Sequence, residues 1–249
     1  MSSVFITRKI PETGIKLLQE KGHEVVVSDL SRPLTKQELI DALKAKLYDA
    51  VLCLLTDKID REVFEAAPTV KIFANMAIGF DNLDVEEGKK RGIYLTNTPH
   101  GGADRVAEHA WALILALTCR VVEADKFVRE GKFVGWDPML FQGMKLTGKV
   151  LGLIGAGRIG TEVARIGARG FGMRIAYHDI RRNEKIESLH NATFYPTVEE
   201  VLKQADIVSI HTPLTVDTRH IINAERLKTM KPTAYLINTS RGPVIHEDA

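Results

Sequence analysis

Residues 150–179 constrain this chain more than any other stretch. Val150-Leu151-Gly152-Leu153-Ile154 is an apolar run of strand length. Gly155-Ala156-Gly157-Arg158-Ile159-Gly160 follows at once, and a helical pattern from Thr161 to Gly170 follows that. A second strand, Arg174 to His178, ends in Asp179, 19 residues after Gly160. Glycines so placed have a physical purpose if a pyrophosphate is to be held. Gly155 permits a tight turn, Gly157 lets the backbone approach the ligand, and Gly160 lets helix and strand pack closely. The helix start presents N–H groups and the positive end of its dipole to the phosphates, and Arg158 adds a charge-assisted contact. A carboxylate closing the second strand accepts from ribose hydroxyls and repels a 2′-phosphate. The stretch is therefore expected to bind a nicotinamide dinucleotide, NAD rather than NADP, with Arg181 and Arg182 softening the preference. The alternatives are a structural glycine turn and a plain strand-end carboxylate.

The first hundred residues repeat the same grammar. Strands are expected at Val4 to Thr7, Val25 to Val27, Ala50 to Leu55, Lys71 to Ala74 and Ile93 to Leu95. Helices are expected at Pro11 to Lys21, Thr35 to Lys46, Asp60 to Ala67 and Val85 to Arg91. Alternation at this spacing implies parallel βαβ units, and continuous apolar strands imply sheets covered on both faces. Asn97 to Gly102 is rich in turn residues and marks a crossing. The fold class is α/β, with two Rossmann-like or flavodoxin-like open parallel-sheet domains, residues 1–98 and 99–249. Asp104 to Arg120 is apolar nearly all round and is expected to be buried between domains or subunits. A second helix, Val121 to Gly131, and a loop from Phe133 to Lys149 follow.

Charge and cysteine content narrow the function classes. Lys plus Arg number 34 against 32 Asp plus Glu, which argues against a nucleic-acid surface. The basic runs at Lys89-Lys90-Arg91 and Arg181-Arg182 read as solvated faces or local anion contacts. Ala110 to Leu117, the longest apolar helical stretch, is far short of the roughly 20 residues of a bilayer span, and no signal peptide opens the chain. A cytoplasmic enzyme is expected. Cys53 and Cys119 both lie in apolar runs and read as buried free thiols; no metal site is suggested.

Two more strands, Asp206 to His211 and Ala234 to Asn238, end at His211-Thr212-Pro213 and Thr239-Ser240-Arg241-Gly242. Ligands of open parallel sheets lie beyond such carboxyl ends. His211, Thr212, Thr239 and Arg241 are thus candidate lining residues. For His211 a pocket-lining or strand-capping place is favoured over acid–base work.

The chain resembles the D-isomer-specific 2-hydroxyacid dehydrogenase family. The resemblance runs through Asn75 to Asp84, Gly92-Ile93, Asn97-Thr98-Pro99, Val106-Ala107-Glu108, Leu146 to Lys149, Gly155–Gly160, His211 to Leu214 and Asn238 to Val244. Within the family, Gly135-Trp136-Asp137-Pro138 is most similar to the glyoxylate and hydroxypyruvate reductases, with phosphoglycerate dehydrogenase next. The resemblance implies hydride transfer between a nicotinamide and C2 of a small 2-oxo acid. It implies that Arg241 grips the substrate carboxylate and polarises the keto oxygen, with backbone N–H groups at Ala77, Ile78 and Gly79 completing the clamp. An ordinary strand-to-helix turn is the other reading of that loop. The resemblance also adds Val106, Ile159, Pro213, Thr218 and Ser240 to the cofactor-binding set, and implies a homodimer through the NAD-binding domain. The family's catalytic His, in a Thr-Pro-His context, and its Glu partner have no counterpart in the 249 residues. His100 and His246 do not stand in that context. The chain is therefore expected to be a truncated form of weak or absent turnover. A non-catalytic NAD-binding interaction protein and a formate- or phosphite-type dehydrogenase are the alternatives.

Overall fold

A computed structural model describes all residues from Met1 to Ala249. The chain divides into two compact units, Met1–Gly101 and Gly102–Ala249. Each is an open parallel α/β sheet, as the alternation of elements predicts.

In the first unit the elements run β1 (Ser3–Ile6), α1 (Glu12–Glu20), β2 (Glu24–Val27), α2 (Lys36–Ala45), β3 (Ala50–Cys53), α3 (Arg61–Ala66), β4 (Ile72–Asn75), α4 (Val85–Lys90) and β5 (Tyr94–Thr96). The strands lie in the order β2-β1-β3-β4-β5, all parallel. Side chains alternate across the sheet. Phe5, Val51 and Phe73 face Leu39, Leu43 and Phe64, while Val4 and Ile6 pack with Ile10 on the other side. Helix α2 starts on a capping box: the Thr35 hydroxyl accepts from Glu38 N–H and the Glu38 carboxylate accepts from Thr35 N–H.

In the second unit follow α5 (Ala103–Thr118), α6 (Val121–Arg129), β6 (Val150–Ile154), α7 (Arg158–Phe171), β7 (Arg174–His178), α8 (Glu184–His190), β8 (Thr193–Phe194), α9 (Val198–Gln204), β9 (Ile207–Ile210), α10 (Ala224–Leu227) and β10 (Tyr235–Asn238). The order is β10-β9-β6-β7-β8. Read from the β8 edge and counted within the unit, this is 3-2-1-4-5, the first five strands of the dinucleotide-binding order. Strand β6 is buried along its whole length. Leu151 and Leu153 face Trp111, Val163 and Tyr177; Val150 and Ile154 face Val201, Leu202 and Val208. Gly152 and Gly167 keep these layers close. A Cβ at Gly152 would stand 2.7 Å from Ala205 Cβ, and one at Gly167 would stand 2.9 Å from Leu151.

Several expectations are corrected. Helix α7 begins at Arg158, three residues before Thr161, so the last glycine of the fingerprint lies inside its first turn. The helix expected over Asp104 to Arg120 ends at Thr118, and within the single chain it buries Ala107, Ala110, Trp111, Ile114 and Thr118. Leu113 and Leu117 on its other side are 37% and 44% exposed. Arg120, at φ 55°, separates it from α6. Cys53 is buried, but Cys119 is exposed because it closes α5 on the side turned from the core. Elements α8, β8, α9 and α10 are additions that the sequence reading did not include. The paired basic residues find acids of the chain itself: Arg91 meets Glu87 and Glu65, and Arg182 meets Glu187.

Candidate functional site

The second unit reverses its strand order between β6 and β9, and the loops after those strands hold the fingerprint and His211-Thr212-Pro213. Gly155 sits at φ +95°, a conformation that a side chain resists. A Cβ there would also lie 2.8 Å from the His211 carbonyl group. At Gly160 a Cβ would lie 2.3 Å from the Gly155 carbonyl oxygen, so this glycine lets the helix start close onto the loop. Gly157 is different: nothing stands within 4 Å of where its Cβ would be. It precedes the first turn of α7, which no side chain caps, and Arg158 is exposed beside it. The half-buried Ile159 packs on the core below.

At the end of β7 the Asp179 carboxylate accepts from Ala156 N–H at 2.7 Å and from Arg181 N–H at 3.3 Å. Asn183 donates its amide hydrogens to the Ala156 carbonyl at 2.6 Å and to the Thr161 hydroxyl at 3.0 Å. Asn183 was not among the expected residues. Its signal in the sequence is that of a helix cap, which it is, since its side chain accepts from Ile186 N–H. Both arginines after Asp179 are exposed; Arg182 is held by Glu187 at 2.8 Å and lies over the Phe194 ring.

The neighbouring strand ends supply polar groups. His211 shares a 2.9 Å hydrogen bond between Nε2 and the Ser209 hydroxyl. Burial pushes its pKa down to about 4, so at neutral pH the ring is uncharged and does not serve as a general acid. The hydroxyls of Thr212 and Thr239 are buried and have no hydrogen-bond partner. Unpaired buried hydroxyls cost free energy and call for a partner that the chain itself lacks. Pro213 is exposed. The Thr218 hydroxyl is taken up within its own loop, accepting from Thr215 N–H and donating to the Pro213 carbonyl. The turn after β10 is built by Asn238, which accepts from both the amide and the hydroxyl of Ser240 and donates to the Arg241 carbonyl. The half-buried Arg241 donates to the Ser240 carbonyl at 2.9 Å. Val106 is half-buried in the first turn of α5.

Taken alone, the loop after β4 in the first unit is organised by three asparagines, Asn75 buried and Asn82 and Asn97 half-buried. Asn75 donates to the Gly79 carbonyl and to Asn82; Asn82 donates to the Leu54 and Asp57 carbonyls; Asn97 donates to the Ile78 carbonyl. The Ala77 N–H closes back on Asn75. The carbonyls of Ile78 and Gly79 are thereby engaged while their N–H groups make no hydrogen bond within the chain. All three stand in segments that carry the family resemblance, but none of them was expected as a site residue. Cys53 lies under the same network, 3.7 Å from the Asn75 side-chain oxygen, and burial pushes its thiol up to about 12.

The residues fit a dinucleotide: a glycine-lined approach, two unpartnered buried hydroxyls and a carboxylate at adjoining strand ends. The comparisons agree. Residues 111–249 match the family model described as D-isomer specific 2-hydroxyacid dehydrogenase, NAD binding domain. The chain is 46% identical to a glyoxylate reductase of Thermococcus onnurineus over 250 residues, covering 99% of this chain and 73% of that protein. It is 48% identical to a glyoxylate reductase of Korarchaeum cryptofilum over 247 residues, with the same coverage of both. Among solved structures, the TT0316 protein of Thermus thermophilus matches with a TM-score of 0.91 at 37% identity, covering 99% of this chain and 76% of that one. The D-lactate dehydrogenase of Aquifex aeolicus, solved with NAD and lactic acid, matches with a TM-score of 0.83 at 31% identity, covering 99% and 71%. The chain belongs to the D-isomer-specific 2-hydroxyacid dehydrogenases, oxidoreductases whose NAD-binding domain is the fold of its second unit.

Proposed function

We propose that this chain serves reduction of a small 2-oxo acid of the glyoxylate and hydroxypyruvate class, with NADH preferred over NADPH. One observation carries the cofactor reading: Asp179 closes β7 with its carboxylate anchored on the glycine loop. A carboxylate held there accepts from ribose hydroxyls and repels a 2′-phosphate. Gly155, Gly157, Arg158, Ile159 and Gly160 hold the pyrophosphate; Thr212 and Thr239 gain the partner they lack; Val106, His211, Pro213, Thr218 and Ser240 line the remainder. The bound nicotinamide supplies the hydride. Arg241 binds the substrate carboxylate and stabilises charge developing on the keto oxygen, a task suited to a planar, permanently charged fork. In the first unit, the N–H groups of Ile78 and Gly79, with the turn at Ala77, are candidate donors for a carboxylate. The substrate class rests on the glyoxylate reductases that match at 46% and 48% identity.

The first unit is assigned to substrate binding and the second to the cofactor. The exposed apolar row of Leu113, Leu117, Val121 and Val122 supports a homodimer through the second unit. No helix is long and apolar enough to cross a membrane; a cytoplasmic place is part of the proposal.

Two measurements test the reading. Titration of the wild-type chain with NADH and NADPH, followed by fluorescence, is expected to give tighter NADH binding, and Asp179→Ser to narrow or invert the difference; tighter NADPH in the wild type overturns the role of Asp179. In turnover of glyoxylate and hydroxypyruvate with NADH, Arg241→Lys is expected to keep NADH binding and to lose substrate affinity or rate, because an ammonium cannot grip both carboxylate oxygens as the planar fork does. Wild-type turnover in that variant overturns the role of Arg241.

A further inference from the structure

We propose that Asn183 is a positioning residue for the cofactor cradle, setting dinucleotide affinity without choosing between NAD and NADP. The inference rests on the cofactor reading above and goes beyond it to a residue outside the fingerprint.

Ala156 lies between Gly155 and Gly157, the two residues of the loop with the widest backbone freedom. Both of its peptide groups are held by one short segment after β7. Its N–H donates to Asp179 at 2.7 Å, and its carbonyl accepts from Asn183 at 2.6 Å. Asn183 also donates to the Thr161 hydroxyl at 3.0 Å, and so reaches the first turns of α7. It thus ties the glycine turn to the helix end that faces the phosphates.

Asn183 is itself held from behind. Its N–H donates to the Tyr177 hydroxyl at 2.8 Å. Tyr177 is fully buried, and its hydroxyl donates to Glu187, which Arg182 grips. The Asn183 side-chain oxygen accepts from Ile186 N–H at 3.3 Å and caps α8. Every polar group of the side chain is therefore used within the chain. Asp179 differs: one carboxylate oxygen takes the Ala156 N–H at hydrogen-bond distance, and the other has only the longer contact with Arg181 N–H. On this geometry Asp179 discriminates while Asn183 fixes the loop that both cofactors share.

Asn183→Ser tests this. A serine still caps α8 but is too short to reach the Ala156 carbonyl. Dissociation constants for NADH and NADPH are measured by quenching of tryptophan fluorescence, with the melting temperature recorded alongside. Both constants are expected to rise by the same factor, about five- to tenfold, the weight of one or two hydrogen bonds, while their ratio stays at the wild-type value. A folded variant with unchanged constants, or one whose ratio shifts, overturns the proposal. Should Asn183→Ser fail to fold, Tyr177→Phe decides. It leaves Asn183 in place but removes the hydroxyl that accepts its N–H, and an equal rise of about two- to threefold in both constants is expected; no rise overturns the proposal. Failure of the wild-type chain to bind either dinucleotide overturns the cofactor reading itself and is told apart by that control.

Discussion

The first sheet reverses its strand order between β1 and β3, and the second between β6 and β9. In open parallel sheets this is the position where a ligand crevice forms. The two units treat it in opposite ways. In the first, the Asp57 carboxylate fills the space between the strand ends. It accepts from the Thr7 hydroxyl at 2.5 Å and from Leu54 N–H at 2.8 Å, with Asn82 closing over the Leu54 and Asp57 carbonyls. Thr7 and Asp57 are 0% and 4% exposed. In the second, glycines take the equivalent place, nothing occupies the space beside Gly157, and the Thr212 and Thr239 hydroxyls are left unpaired. One crevice is satisfied from within the chain; the other is complete only with a ligand. Topology alone therefore does not make a binding site. The residues at the reversal decide whether the site is offered or sealed.

The largest effect is expected from closing the open crevice. Gly157→Val adds a side chain where no protein atom stands within 4 Å, at φ −69°, which valine accepts. The fold should lose about 1 kcal/mol or less, the difference between a glycine and a poor helix cap. NADH binding should weaken on the order of 100-fold, because the branched carbons take the space through which the pyrophosphate approaches. A thermal melt and an NADH titration on the same sample read both. Wild-type affinity in a folded Gly157→Val protein breaks the comparison at its open end.

Unsealing the closed crevice should have the reverse profile. Asp57→Ala removes the acceptor for two buried donors, the Thr7 hydroxyl and Leu54 N–H. Leaving buried donors unpaired predicts a loss of about 2–4 kcal/mol in unfolding free energy. NADH affinity of the folded variant should stay within about twofold of wild type, less than the weight of one hydrogen bond. A stability loss well under 1 kcal/mol would mean that water satisfies both groups, and the first crevice would then be no more sealed than the second.

The two crevices were unequally legible in the sequence. The glycine fingerprint declares itself because its chemistry depends on local spacing, residues a few positions apart sharing one loop whatever the rest of the chain does, and Asp179 declares itself because one strand–helix–strand unit sets its distance from that loop. The seal does not, because Thr7 and Asp57 lie 50 residues apart and only the strand order brings them together. The same holds for Asn183, whose cap role is local but whose bond to Ala156 spans 27 residues. Helices α8 and α9 escaped for a related reason. Each is seven residues long; α8 buries only Ile186, and α9 buries Val198, Val201 and Leu202. Short charged helices of that kind give a weak periodic signal. The long helix α5 is legible from its apolar run, but the run does not say which of its apolar residues meet the chain's own core: Ala110 and Ile114 do, whereas Leu113 and Leu117 face outward in the single chain.

The smallest expected effect bears on His211, which borders the open crevice. Its folded pKa of about 4 lies below the roughly 6.5 of an unfolded histidine. Between those values the unfolded chain takes up a proton that the folded chain refuses. Stability from this group is therefore fully present above about pH 6.5 and is lost as pH falls toward 4, by at most about 3 kcal/mol at 1.36 kcal/mol per unit. His211→Gln preserves a partner for the Ser209 hydroxyl and removes the titration, so the difference between the two unfolding curves should shrink with acidification over that window and be flat above it. Parallel curves for wild type and variant from pH 7 to 4 would mean that water reaches the His211 ring, and the second crevice would be wetter than its unpaired threonines imply.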